Sequence, residues 1–278
     1  MLHVATNQYP WGTFYQRQGR DFGASMDDGL AEVAASGLDG FEPFAGEPDD
    51  IDRLASLTAR HGLGMRSIYV GSNLHDPAEA DGNVRRILAV GERARAVGTR
   101  IVVTNPNPIG WGSAEAKTDA QLRIQARALT ALGRGLAEMG LVLAYHNHDV
   151  ELRHAAREFH HMMLATDPQA VRLCLDAHWI YRGSGNSTVA VADVVKLYGH
   201  RVAELHLRQS AGGVWTEVFG EGDIDYPALA AALAAVNVRP HLVVEQAVED
   251  ASPNTMDALS AHRPSCANTR RIFAAFGE

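Results

Sequence analysis

The chain is short of cysteine. Its 278 residues contain two, Cys174 in the apolar run VRLCLD and Cys266 in a Ser/Asn/Thr stretch, and such a pair makes neither a disulfide framework nor a paired-cysteine metal site. That usage fits a reducing compartment, and a cytoplasmic protein is expected. Positive charge is scarce too: 25 Lys and Arg against 33 Asp and Glu leave a net charge of −8. Binding to a phosphate backbone depends on clustered Lys and Arg, so the balance argues against a nucleic-acid partner. No run approaches the roughly 20 apolar residues of a membrane span, and the opening MLHVATNQYP lacks the basic and apolar regions of a secretory signal. Neither membrane insertion nor export is expected. Low-complexity tracts are also missing. With 46% hydrophobic and 21% charged residues, the chain has an ordinary folded composition, and its length allows one α/β barrel domain over residues 1–278.

Eight short apolar segments are present: LHVAT from Leu2, GFEPF from Gly40, GMRSIYV from Gly64, TRIVVT from Thr99, LVLAYH from Leu141, VRLCLD from Val171, VAELHL from Val202 and HLVVEQ from His241. Helical punctuation separates them. Ser25 precedes MDDGLAEVAAS and Gly37 follows it, as an N-cap and a C′ glycine would. Pro48 and Gly62 bracket DDIDRLASLTARH, and Pro77 opens another helix. After Thr118, residues Leu122, Ala126, Leu129, Leu132 and Leu136 recur at three- and four-residue steps until Gly140, which predicts one buried helical stripe. Strands and helices alternating eight times predict a parallel (β/α)8 barrel, the TIM-barrel architecture. An open doubly wound sheet normally carries a Gly-rich phosphate turn after its first strand, and none follows LHVAT.

Barrel chemistry sits at the C-terminal ends of the strands, and there the sequence turns polar. Glu42 ends the second segment, His146 the fifth, Asp176 the sixth, His206 the seventh and Glu245 the eighth, with Glu151 just past the fifth. Burying a carboxylate or imidazole without a partner costs several kcal/mol. Taken singly, His206 reads first as a hydrogen-bonded core histidine, while Asp176 reads equally as turn chemistry and Glu42 as a partner for arginine. Together they point to a divalent cation, because carboxylates with an imidazole suit Mn²⁺, Mg²⁺, Co²⁺ or Zn²⁺. His160 and His161 fall in AAREFHHMML, an amphipathic helix, and are read as packing or surface residues.

The motifs YHNHDVE at 145–151, LDAHW at 175–179, ELHLRQS at 204–210, FGEGDIDYPAL at 219–229 and VVEQ at 243–246 resemble the sugar phosphate isomerase/epimerase group of xylose isomerase-like TIM barrels. That group includes inosose dehydratases, inosose isomerases, ketose 3-epimerases and hydroxypyruvate isomerases. The opening ATNQYPWG and GLDGFEPF fit its first two βα units. The resemblance implies Glu151, Asp176, His206 and Glu245 as ligands of one metal ion, usually Mn²⁺. It also implies Glu151 and Glu245 as paired acid/base groups on opposite substrate faces, and a dimer or tetramer. Arg208 stands where relatives often carry lysine, and Trp179 where others place a histidine. Glu42, His148, His178, Trp179 and Arg208 are the expected substrate contacts.

The chemistry expected is enolisation of a small keto-sugar or keto-cyclitol. A Lewis acid acidifies the carbon beside the carbonyl, and a nearby carboxylate removes and returns the proton. Return to the other face is epimerisation, and return to the neighbouring carbon is isomerisation. Loss of a β-hydroxyl is dehydration, an inosose dehydratase-like outcome in which His146 or His148 would shuttle the proton. An abasic-site endonuclease, built on a related barrel, would need more ligands and a basic face.

Overall fold

The computed structural model describes residues 2–277. Eight parallel strands form one sheet: β1 (Val4–Asn7), β2 (Gly40–Glu42), β3 (Ser67–Tyr69), β4 (Ile101–Thr104), β5 (Val142–His146), β6 (Val171–Asp176), β7 (Val202–Leu207) and β10 (His241–Val244). A two-stranded antiparallel hairpin, β8 (Ser210–Ala211) and β9 (Val214–Trp215), follows β7. The spatial order is β2-β1-β10-β7-β6-β5-β4-β3. Parallel bridges from Gly40 to Gly64 and from Phe44 to Tyr69 join the two ends, so the sheet comes round into the expected barrel.

The helices are α1 (Gln8–Arg17), α2 (Met26–Ala35), α3 (Asp50–Arg60), α4 (Ala80–Ala96), α5 (Asp119–Glu138), α6 (Arg153–Ala165), α7 (Ala177–Gly183), α8 (Thr188–Tyr198), α9 (Tyr226–Ala235) and α10 (Ala258–Ile272). Among the described residues none is long and apolar enough to cross a membrane. Part of the punctuation works as chemistry, although Ser25, at the N-cap position of α2, makes no side-chain capping bond. Thr118 accepts from the Gln121 amide while the Gln121 side chain accepts from the Thr118 amide, a complete capping box. Gly37, Gly62 and Gly140 follow their helices at φ of 87°, 69° and 76°, the left-handed region that glycine enters without steric cost.

Two elements depart from the sequence expectation. Helix α1 begins directly after β1, because Trp11, Phe14 and Tyr15 pack inward at helical spacing, and Trp11 stacks on His262 of α10 at 4.3 Å. The β8–β9 hairpin, unforeseen, turns through Gly212 and Gly213, both at positive φ. His160 and His161 lie on α6, and His160 bonds the Tyr198 hydroxyl at 2.8 Å. The main apolar core fills the space between sheet and helices. Inside the barrel a small cluster of Ile101, Val103, Ala144 and Cys174 fills the floor, and above it the filling becomes polar.

Candidate active site

Strand β7 shows how the polar layer is built. Side chains alternate with a period of two along a strand, so Glu204 and His206 point into the barrel while Leu205 and Leu207 face the helices. All four are fully buried. His206 lies in register with Asp176 of β6 and Val243 of β10. Its Nε2 is 3.1 Å from Glu42 Oε1 and 3.2 Å from Glu204 Oε1, and its Nδ1 is 3.3 Å from Glu245 Oε2. Burial alone would lower the His206 pKa, but Cys174, Glu42 and Glu245 outweigh it and hold the ring well above its ordinary value. The carboxylates answer in kind. Glu42 is lowered because His206 overcomes its burial, whereas burial and the neighbouring Glu42 push Glu204 well up.

Glu245 leaves β10 one residue past the last paired position. Its Oε1 accepts from the Asn7 amide at 3.0 Å and its Oε2 from Arg208 Nη2 at 2.8 Å. Burial opposes ionisation, yet His206 and Arg208 hold this carboxyl well below its ordinary value. Arg208 is itself fixed by a box of aromatic faces, 4.3 Å from the Trp215 ring, 4.9 Å from Trp179 and 5.5 Å from Tyr9. Asp176 ends β6 and caps α7, its Oδ1 accepting from the amides of His178 and Trp179 at 2.9 and 3.0 Å. Its Oδ2 makes no hydrogen bond and lies 3.9 Å from Arg208 Nη2. Burial, partly offset by Arg208, raises this carboxyl to about 6.

Glu151 sits in a short 3₁₀ turn after β5. It accepts from Asn105 at 3.0 Å and from the His148 amide at 2.7 Å, and burial followed by Glu158 raises it to about 7. Beyond the turn His154, Ala155 and Ala156 take left-handed φ of 54°, 58° and 55°, a conformation that costs a non-glycine residue about 1–2 kcal/mol. His146 and His148 stack edge to face at 4.6 Å, and His146 lies 4.6 Å from the His206 ring. Burial, then His148, lowers His146 well below its ordinary value, and burial brings His148 to about 4. Both imidazoles are therefore neutral near pH 7.

A cavity of about 570 Å³ opens over this layer, with Glu42, His146, His148, Arg208 and Glu245 toward its floor. Tyr9, Phe44, Tyr69, Trp111 and Trp179 form its walls. Asp176 and His206 lie buried beside Glu245 without lining the cavity. Two expected residues stand apart: Glu151 is fully buried behind Asn105, and His178 is enclosed by Trp179, Tyr181 and Trp215. Another cavity, about 420 Å³ between α8 and α9 with Val191, Val195 and Leu229 in its walls, holds no comparable group of acids and imidazoles.

The donor set fits a divalent ion. Three groups of ligand atoms lie within 4.8 Å of one another among the described residues: His146, Asp176 and Glu245; Glu42, Glu204 and His206; His146, Cys174 and His206. Glu151 belongs to none of them. Asp176 Oδ2, Glu42 Oε2 and both ring nitrogens of His146 are buried with no hydrogen-bond partner, and each such atom costs about 1–3 kcal/mol when left unmet. A cation is what carboxylate oxygens and neutral imidazole nitrogens would satisfy together.

Glu204, Asn7 and Asn105 escaped the sequence reading. Asn7 bridges Glu42 and Glu245, and Asn105 ties Glu151 to the His146 carbonyl. A signal was there: VATN ends β1, VVTN runs one residue past the end of β4 with the same Thr-Asn pair, and Glu204 stands two residues before His206 on the same face.

Comparison with known proteins places this architecture. An inosose dehydratase of Clostridium botulinum is 22% identical over 84% of this chain and 86% of its own length. A sugar phosphate isomerase/epimerase from Parabacteroides distasonis superposes with a TM-score of 0.76 at 15% identity, over 100% of this chain and 96% of that one. An L-ribulose 3-epimerase superposes at 0.73 with 18% identity, over 100% and 96%. The profile of the xylose isomerase-like TIM barrel matches residues 30–264, and the chain belongs to that family.

Proposed function

We propose that the protein is a divalent-metal-dependent isomerase or epimerase of a small sugar, keto-sugar or inosose, working through an enediolate. The observation that carries this reading is Glu245: an ionised, buried carboxylate held by Asn7, Arg208 and His206 at the floor of an aromatic-walled cavity. Asp176, His206 and Glu245 would hold the ion, most suitably Mn²⁺. The fourth ligand would be Glu151, which the family resemblance implies, or His146, which lies in one ligand group with Asp176 and Glu245. Bound there, a divalent ion supplies Lewis-acid polarisation of a carbonyl and its neighbouring hydroxyl.

The chain's own residues do the rest. Glu245 takes the proton from the carbon beside the carbonyl, its carboxylate kept ionised by His206 and Arg208. Glu151, which the family resemblance implies as the second member of the acid/base pair, has a carboxyl near 7 but lies behind Asn105, off the cavity, so its proton would reach the substrate only by relay. Where His146 is not itself a ligand, its neutral ring, unpartnered at both nitrogens, would relay that proton. Arg208, its guanidinium fixed by Trp215 and Trp179, orients a substrate oxygen, and the aromatic walls exclude water.

A second reading is a lyase that expels water from a keto-cyclitol. Similarity to inosose dehydratases over most of the chain favours it, and the proton that Glu245 takes from the α-carbon would pass through the His146–His148 pair to the leaving hydroxyl. A panel of ketoses, inososes and 3-keto sugars incubated in D₂O with Mn²⁺ and followed by NMR separates the two. Epimer or positional isomer with deuterium at the α-carbon supports the first, and water loss with a new enone or diketone supports the second. If elemental analysis finds no ion in native or Mn²⁺-reconstituted protein, the metal assignment fails.

A further inference from the structure

Glu204 has no role in the reading above and is an odd residue for a barrel interior. It is fully buried, does not line the cavity, and its Oε2 has no hydrogen-bond partner. Its Oε1 takes the Cys174 thiol at 3.7 Å and lies 3.2 Å from His206 Nε2. Glu42 Oε1 approaches the same nitrogen at 3.1 Å. An imidazole that binds an ion is neutral and carries one N–H, and the Glu42 carboxylate at 3.1 Å, with Glu204 Oε1 at 3.2 Å, requires that hydrogen to be on Nε2. The other nitrogen, Nδ1, 3.3 Å from Glu245 Oε2, is then the one whose lone pair an ion takes, in place of the proton the metal-free ring holds there.

We propose that Glu204 is a positioning residue: with Glu42 it holds the Nε2–H of His206 and leaves Nδ1 as the atom offered to a divalent ion. The inference rests on the metal-binding reading above and adds a residue that never meets substrate or ion. Outer partners of a metal-bound histidine fix its tautomer and ring orientation, and removing them weakens metal affinity by about 10–100-fold. Stability should move the other way. A buried carboxyl with an unmet oxygen costs the fold, and an apolar residue of similar volume is often neutral or stabilising there.

The test compares Glu204→Met and Glu204→Gln with the native chain. Titration with Mn²⁺ followed by calorimetry should show an affinity about 10–100-fold weaker in Glu204→Met. Glu204→Gln, whose amide oxygen still accepts, should recover most of it. Urea unfolding of the metal-free proteins should show Glu204→Met no less stable than the native chain. An affinity within about threefold of native, or affinity and stability falling together in both variants, overturns the proposal. A second readout needs neither a fold-sensitive variant nor a bound ion. In ¹⁵N-histidine NMR of the native protein, His206 should carry its one hydrogen on Nε2 once its ring is neutral, both in the metal-free protein at raised pH and with Zn²⁺ added, and a bare Nε2 in either overturns the proposal. Should the native chain bind no ion at all, the metal reading fails by calorimetry while the NMR result still decides the ring's orientation.

Discussion

Replacing Asp176 by Asn should make the metal-free protein more stable while weakening its metal site. Asp176 Oδ1 caps α7, and an asparagine oxygen caps equally well. What changes is the charge. The carboxyl is raised from 3.8 to about 6 in the folded chain, by burial against the partial help of Arg208. Below pH 3.8 the group is protonated whether folded or not, and it costs nothing. The cost grows as pH rises through about 6, where at about 1.4 kcal/mol per pH unit it reaches roughly 3 kcal/mol. The new amide nitrogen, facing Arg208 and lacking an acceptor, returns about 1 kcal/mol. The net gain is about 2 kcal/mol at pH 7.5, or about 4–8 °C in Tm for a chain of this size. At pH 4.5 only about 1 kcal/mol of the carboxylate cost remains, and the advantage should vanish. Thermal unfolding by circular dichroism in EDTA at the two pH values measures both, and repeating it with Mn²⁺ should reverse the order at pH 7.5. A metal-free Asn variant that is less stable at pH 7.5, or that keeps one constant offset at both pH values, would refute the reasoning.

Three further outcomes follow from the same geometry. Lys117, buried and 2.6 Å from Glu158, leaves that carboxylate with no cation and only the Gln125 amide beside it when changed to Met, so urea unfolding should show a loss of about 3 kcal/mol. Arg208→Lys gives up the Glu245 carbonyl and carboxylate contacts and the stack on Trp215. Its kcat/KM should fall at least about tenfold, as loss of one charged hydrogen bond implies, with an unchanged circular dichroism spectrum. His160→Ala removes the bond to Tyr198 and ring contacts with Tyr198 and Phe159, all outside the candidate site, and calorimetry should find its Mn²⁺ affinity equal to that of the native chain.

The barrel was legible because its evidence is local. Apolar runs of four to six residues, helix caps such as Thr118 and the glycines at 37, 62 and 140 each act within a few positions of themselves. The strand ends were legible for a related reason: Asp176 and Glu245 follow apolar runs that must be buried, which leaves a carboxylate where none is comfortable. Glu204 was hidden by that same logic. Flanked by Val202, Leu205 and Leu207, it reads as one polar residue in a buried strand, and only the closure of the sheet brings Glu42, 162 positions earlier, against the same imidazole. The standing of Glu151 and His178 depends on how the loops after β5 and β6 turn. The 3₁₀ turn at Val150–Leu152 and the capped α7 aim both side chains into the wall, a matter of backbone path that motif spacing does not encode.

The central claim is that Glu245 moves a proton at the carbon beside a carbonyl. It is tested most directly by solvent-deuterium incorporation into a turned-over substrate, with the native chain and Glu245→Gln measured side by side in D₂O with saturating Mn²⁺. The account predicts deuterium at the α-carbon with the native chain. It predicts a rate about 10²–10⁴-fold lower with Glu245→Gln, the range that loss of a general base gives. Turnover without solvent deuterium at that carbon, or an unchanged rate in Glu245→Gln, would contradict it.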